Sequence, residues 1–370
     1  MSSVPAPMSI SSKLATRDNN LNAIRLIAAT LVLFSHCYPL TGNIQSEPIA
    51  RYLHIFDGGA IAVIAFFFLS GYLISASWAA APSLPSFMLK RVLRILPALA
   101  VVATLSALVL GPLMSSLDTS HYFDSSQAFK YIRDNINVLN LRTNTLPGVF
   151  ENLPVPQAIN GSLWTLRTEF WVYIGTGIIG VTCLLPTGEK RIPCAAFAVV
   201  ALIVAARLIV MSKEEFDAWR LPLDYFSYRL MAAYLIGTVA FVIRGWLIRS
   251  WLILAALAAL AWLAKDLLLF QFLIYIAFAY FLLLIATAKF SLLGKSVRTQ
   301  DYSYGAYIYA FPVQQTIAAL VPGIAPLTMF SLAVPIVFVF AASSWHLVEK
   351  PALGLKNLPF RFKPRPSAGS

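Results

Sequence analysis

Long apolar runs alternate along the chain with short polar connections. A helix needs about 20 mostly apolar residues to cross a bilayer core of about 30 Å. Ten runs fit that rule: 21–40, 58–80, 92–113, 163–185, 193–211, 228–243, 250–264, 267–287, 303–321 and 328–347. The sixth and seventh are short, and only Lys265 and Asp266 part the seventh from the eighth. The longest polar stretch is 114–161. Within it, "SQAFKYIRDNINVLNL" spaces its apolar residues as a helix does, which predicts an interfacial helix. Residues 1–20 are polar and rich in Ser and Pro, without the basic start and short apolar core of a secretory signal. They predict a tail, as does the basic segment 350–370. The pattern therefore predicts an all-α polytopic membrane protein. One membrane domain covers 21–349, with an outer loop at 114–161 and no internal repeat.

Composition agrees. Of 370 residues, 59% are hydrophobic and 12% charged, where soluble domains carry about 25% charged residues. A net charge of +12 in a soluble chain would point to nucleic acid. Here it reads as topology, and no nucleic-acid partner is expected. With the N-terminus inside, sixteen Lys and Arg fall in inner segments, among them Lys90, Arg91, Lys190, Lys289, Lys295, Arg298 and Lys356, and seven in outer ones. That bias predicts both termini inside. The three cysteines, Cys37, Cys183 and Cys194, lie in or beside apolar runs and form neither a disulfide framework nor a metal spacing.

Ionisable side chains at membrane depth are costly and mark function by default. Arg25, His36, Arg94, Arg167, Glu169, Arg207 and Arg229 fall within predicted spans. Arg207 and Arg229 lie near span ends, where snorkelling accounts for them. Arg25 and His36 are eleven residues apart on one run. Eleven residues turn about 1100°, so both project from one face with a rise of about 16 Å between them. His36 and Glu169 lie at similar predicted depth below the outer surface, as a general base and an orienting carboxylate would. The plain alternative gives Arg167 and Glu169 other partners in the bundle. Their spacing of two puts them on different sides of the helix. In "KRVLRILP" (90–97), Arg91 and Arg94 share a face and can grip one anion, such as the phosphates of a cytosolic cofactor. The plain alternative is positive-inside anchoring.

Other motifs fail their context. "GTGIIG" (175–180) matches a dinucleotide fingerprint but sits in a predicted span with no preceding strand, so helix packing is the better reading. "NGS" (160–162) matches a glycosylation sequon and carries little weight. His54 with Asp57, and His121 with Asp124, read as solvated loop residues. His346 and Glu349 read as a structural cap on the last span.

Taken together, these residues resemble the membrane acyltransferase-3 family, the bacterial cell-surface polysaccharide O-acetylase type. The resemblance covers nearly the whole chain. "RLIAATLVLFSH" holds the family's Arg and His, at Arg25 and His36. "FFFLSGYLI" (66–74) holds Ser70 and Gly71. "KRVLRILP" resembles the R-x-x-R motif, and "SLWTLRTEFWVY" (162–173) holds Trp164 and Glu169. "DYSYGAYIYAFPVQ" (301–314) and "HLVEKPA" (346–352) resemble the late motifs. Many members have a His where this chain has Ala310. Some carry a C-terminal esterase-like domain, which is not expected here.

The resemblance implies a multi-pass protein of the bacterial inner membrane. It implies transfer of an acyl group, usually acetyl, from cytosolic acyl-CoA to a hydroxyl of an envelope glycan or lipid-linked saccharide, with no metal. His36 would be the general base, supported by Glu169. Arg25, Arg91 and Arg94 would bind acetyl-CoA, with Arg25 on its pantetheine arm or thioester oxygen. Ser70, Trp164 and Arg167 would contact substrate. Direct transfer and an acyl-enzyme route both stay open. Oligomeric state is not readable. A transporter or flippase for a lipid-linked glycan is the competing reading, since buried charges and interrupted spans suit that class too. A purely structural subunit fits the buried charges poorly.

Overall fold

The computed structural model describes residues 10, 14, 19–54, 56–139, 145–182, 191–219, 223–288, 297 and 299–357. Cys183, most of both predicted tails and many basic residues behind the predicted orientation, such as Lys190, Lys289, Lys295 and Arg298, lie outside them. Among the described residues the fold is helical, with one isolated bridge between Ser115 and Val149.

A helix stands at each of the ten predicted runs: α1 (Leu21–Leu40), α2 (Gly58–Ala80), α3 (Leu84–Leu105), α4 (Trp164–Val181), α5 (Arg191–Val210), α6 (Tyr225–Val242), α7 (Trp251–Leu263), α8 (Phe270–Ala286), α9 (Ser303–Leu320) and α10 (Pro326–Ser344). Helix count and crossing count differ. Among the described residues, α1, α2, α3 extended to Met114, α6 and α10 extended to Gly354 are long and apolar enough to cross a membrane. The α5 segment Cys194–Val210 joins Lys213–Trp219 across a bend of 111°, and counted as one broken span the pair makes a sixth. The apolar helices α7 and α8 have 13 and 17 residues; at 1.5 Å per residue they rise about 20 and 26 Å. Arg167 and Glu169 in α4, and Gln314 and Gln315 in α9, keep those two out of the qualifying set.

Helix α3 begins at Leu84 rather than near 92. Pro85 sits in its first turn, where its missing N–H is no loss. Lys90 and Arg91 are thus helical. A π turn (Trp345–Glu349) carries α10 onward into a short helix, Lys350–Gly354.

The most extensive packing joins α2 to α6, and α9 packs on both α10 and α1. Glycines make the first contact possible. A methyl added at Gly71 would lie 2.0 Å from the Tyr234 carbonyl oxygen, and one at Gly237 would lie 2.1 Å from that of Phe68. The backbones touch where any side chain would block them, as in small-residue packing of membrane helices. Ser75 donates to Thr238 within the same seam at 3.3 Å. Glycines of "GTGIIG" also pack helices: a methyl at Gly180 would meet the Trp78 ring at 2.1 Å, and one at Gly177 would meet Leu84 at 2.7 Å.

Helix α9 is buried along most of its length, and the side-chain amide nitrogens of its two glutamines are bonded. Gln314 Nε2 donates to Leu33 O at 2.8 Å, and Gln315 Nε2 donates to Val155 O and Ala158 O, both at 2.8 Å. The loop returning to α4 is pinned by Asn160 Nδ2 donating to Ile308 O at 2.8 Å. That amide is 2% exposed, so the sequon is a structural contact. The predicted interfacial helix is present as Gln127–Ile136.

Snorkelling does not describe Arg229. It is buried, lies over the rings of Phe56 and Tyr225, and donates to Ile209 O at 3.1 Å and to Gln271. Neighbouring helices supply acceptors to its Nη2, so its guanidinium is held inside the bundle. Arg207 pairs with Glu215 across the α5 bend.

Candidate active site

Two cavities lie end to end inside the bundle, and the helices crossing both serve as rulers. On α1, Arg25 lines the first cavity and His36 the second; on α2, Ser70 and Ser77 line the first, Gly59 and Ala60 the second. The first cavity has a volume of about 630 Å³ and the second about 360 Å³. Val63, Thr165 and Tyr307 line both, and form the wall between them.

Five of the eight predicted site residues line the first cavity: Arg25, Ser70, Arg91, Arg94 and Glu169. Two line the second, His36 and Trp164. Arg167 is half-buried and lines neither.

Arg25 and Arg94, in the wall of the first cavity, belong to a charge cluster that the local motifs did not reveal. Arg25 Nη1 donates to Asp301 Oδ2 at 2.5 Å, and Arg94 Nη2 donates to the same oxygen at 2.6 Å. Arg94 Nη1 reaches Glu349 Oε2 at 3.1 Å. Ser303 donates to the other Asp301 oxygen at 2.5 Å, and Ser344 donates to Glu349 at 2.9 Å. Asp301 sits in the connection before α9. Burial works against its ionisation, but Arg25 and then Arg94 reverse this and hold its carboxyl at about 2. The π turn brings Glu349, 1% exposed, to Arg94. Glu349 is therefore the internal counter-charge of Arg94 rather than a mere helix cap. Two guanidinium groups and two carboxylates satisfy one another, so Arg25 and Arg94 are not free to hold an anion alone.

Arg91 is placed otherwise. Its Nη2 donates to Ser77 at 3.2 Å, and its guanidinium lies over the rings of Phe87 and Tyr173. Among the described residues it makes no ion pair, and neither do Lys90 and Lys356. All three line the first cavity. With the cluster neutral, three cations face Glu169 alone, and the balance is positive. Leu353 and Lys356 come from the segment expected to be a tail. Tyr173 donates to Glu169, so that carboxylate is held on α4 within the first cavity.

His36 sits apart from Glu169. It lines the second cavity beside Ser35, Glu47, Asp57 and Trp164. The Phe311 ring meets it edge-on at 5.5 Å, and its buried Nδ1 has no hydrogen-bond partner among the described residues. Asp57 is a carboxylate that lines this cavity with it. Asp57 also caps α2 through the Ala60 N–H at 2.6 Å. Glu47 holds the rim: it accepts from Ala50 N at 2.5 Å, Gly58 N at 3.2 Å and Ser35 Oγ at 3.4 Å. His36 and Glu169, expected to meet, thus line different cavities that share Val63, Thr165 and Tyr307. His54 and His121 stay outside both cavities, and His121 pairs with Asp118 at 2.6 Å on the surface.

An acyltransferase domain profile of the acyltransferase-3 family matches residues 18–346. The chain belongs to the acyltransferase-3 family. It is similar to an O-acetyl transferase of Shigella phage Sf6, at 34% identity over 342 residues, which cover 90% of this chain and 96% of that relative. It is also similar to nodulation protein 10 of Rhizobium leguminosarum bv. viciae, at 28% identity over 369 residues, covering 92% and 94% of the two chains. No solved structure matches. Membership of the acyltransferase-3 family and the O-acetyl transferase relative support an acyltransferase.

Proposed function

We propose that this acyltransferase takes its acyl group from a cytosolic acyl-CoA, most simply acetyl-CoA, and delivers it to a hydroxyl of an envelope glycan or lipid-linked saccharide. The supporting observation is the contrast along one axis. Cations that make no ion pair among the described residues line the first cavity and suit the diphosphate of CoA, and an imidazole whose buried Nδ1 has no partner among them lines the second. The ten helices would form a bundle with both termini inside, in the bacterial inner membrane. Lys90 and Lys356 then mark the cytosolic end, as the basic bias of the inner segments requires.

In this scheme His36 takes the proton of the acceptor hydroxyl as its oxygen attacks the thioester carbon. The C–S bond breaks, and CoA leaves as a thiolate that recovers a proton. Arg91, with Lys90 and Lys356, holds the donor phosphates. Arg25 and Arg94 shape the chamber through Asp301 and Glu349, while Glu169 and Ser70 line the path of the pantetheine arm. Trp164, half-exposed at the second cavity, offers a face for a sugar ring. Asp57 supports charge on His36. CoA release from acetyl-CoA by the reconstituted protein tests the scheme: wild type releases CoA, and His36→Ala loses release while still binding acetyl-CoA. A conduit for a lipid-linked glycan would also use stacked chambers, but it needs no CoA. Failure of wild type to bind acetyl-CoA would favour it.

A further inference from the structure

The two cavities are separated by the side chains of Val63, Thr165 and Tyr307. Tyr307 Oη lies 2.7 Å from Thr165 Oγ1 and donates to Ser162 O at 2.9 Å. Both residues line both cavities and are buried. The Phe66 ring, itself in the wall of the first cavity, meets the Tyr307 ring edge-on at 6.0 Å.

The backbone on either side is held. Asn160 bonds the carbonyl of Ile308, next to Tyr307. A methyl at Gly161 would lie 2.6 Å from the Phe311 ring, so 160–162 is pressed onto α9. Thr165 has a second acceptor, Ser162 O at 3.3 Å. If the Tyr307 side chain swings away, the Thr165 hydroxyl keeps a partner.

We propose that Tyr307, latched by Thr165 and the Ser162 carbonyl, is a gate between a donor chamber and an acceptor chamber. This rests on the acyl-CoA reading above. With the donor phosphates near Lys90 and Arg91 and the base at His36, the acyl end must pass this wall to come within about 3–3.5 Å of an acceptor oxygen. Closed, the gate keeps the thioester from water that His36 could activate. Open, it admits the acyl end to the acceptor. Gating of this kind couples cleavage to the presence of the correct substrate. Tyr307 is a positioning residue, acting on access rather than on the reacting atoms.

The uncoupled reaction is hydrolysis: water attacks the thioester carbon, the C–S bond breaks, and acetate and CoA form, the water proton passing by way of His36 to the thiolate. The test measures acetyl-CoA binding and acceptor-free CoA release by the full chain in lipid vesicles. The wild type releases CoA slowly, and Tyr307→Ala releases it about tenfold faster. Adding His36→Ala to Tyr307→Ala brings release down to the wild-type level or below it, which a merely loosened fold would not do. Tyr307→Phe keeps the ring and loses the latch, and gives a rise of about threefold. If Tyr307→Ala fails to fold, Tyr307→Phe decides. Acetyl-CoA binding by all forms with no rise in acceptor-free release overturns the gate alone. A wild type that neither binds nor cleaves acetyl-CoA overturns the gate and the acyl-CoA reading together.

Discussion

The two chambers differ in how their charges are spent. In the first, Arg25, Arg94, Asp301 and Glu349 neutralise one another, and Arg91, Lys90 and Lys356 stand over an excess of positive charge. In the second, one imidazole nitrogen has no partner among the described residues, and the carboxylates nearby are engaged as caps and rim braces. On the proposed reading the first chamber holds an anion and the second leaves a base available. Separating the two tasks along one helix, α1, lets a single rigid element set the distance between them. It also means that substitutions in one chamber should leave the task of the other intact.

The largest expected effect is on the second chamber. His36→Ala removes a general base and lowers transfer by about 10²–10⁴-fold, with acetyl-CoA affinity unchanged. Parallel activity and binding assays check both halves. Next comes the scaffold of the first chamber. Asp301→Ala strips two guanidinium groups of one carboxylate and destabilises the fold by about 3–5 kcal/mol, readable as a drop in thermal midpoint in detergent. Replacing all four cluster members by apolar residues of similar size would recover much of that loss. Arg91→Ala weakens acetyl-CoA binding by about 10–100-fold, the loss of a charge-assisted contact of about 1.5–3 kcal/mol, and leaves the thermal midpoint near wild type. The smallest effect is at Asp57, which is exposed. Asp57→Asn slows transfer by about 1.4- to fivefold, as expected for roughly 0.2–1 kcal/mol from an exposed charge. Slowing in Glu169→Gln that matched His36→Ala in size, with acetyl-CoA binding intact, would break the division between chambers by making Glu169 the partner of His36.

Much of the fold was legible because apolar runs of fixed length say where helices stand. They do not say which helices reach across a membrane unaided. Polar residues that bond within the bundle, such as Gln314 and Gln315, make α9 look less apolar than its burial warrants. The helical face shared by Arg25 and His36 was also legible, and it is why the one helix marks out both chambers. The partners of Arg94 were not. Asp301 and Glu349 lie 207 and 255 residues away along the chain, and no local spacing connects them. Glu349 looked like a cap because the π turn that swings it inward has no plain sequence signature. The depth match between His36 and Glu169 was sound as arithmetic but ignored what lies between them, namely Thr165 and Tyr307. One signal for that wall was available. Tyr304 and Tyr307 are three apart in a helix and share a face, and both line the first cavity.

The most direct test is the equilibrium binding of acetyl-CoA to the purified protein, with His36→Ala and Arg91→Ala measured beside wild type. Donor and base in separate chambers predict that His36→Ala binds as tightly as wild type, while Arg91→Ala binds about 10–100-fold more weakly. No binding by wild type, or equal loss in both variants, would contradict a phosphate-holding first chamber set apart from the base.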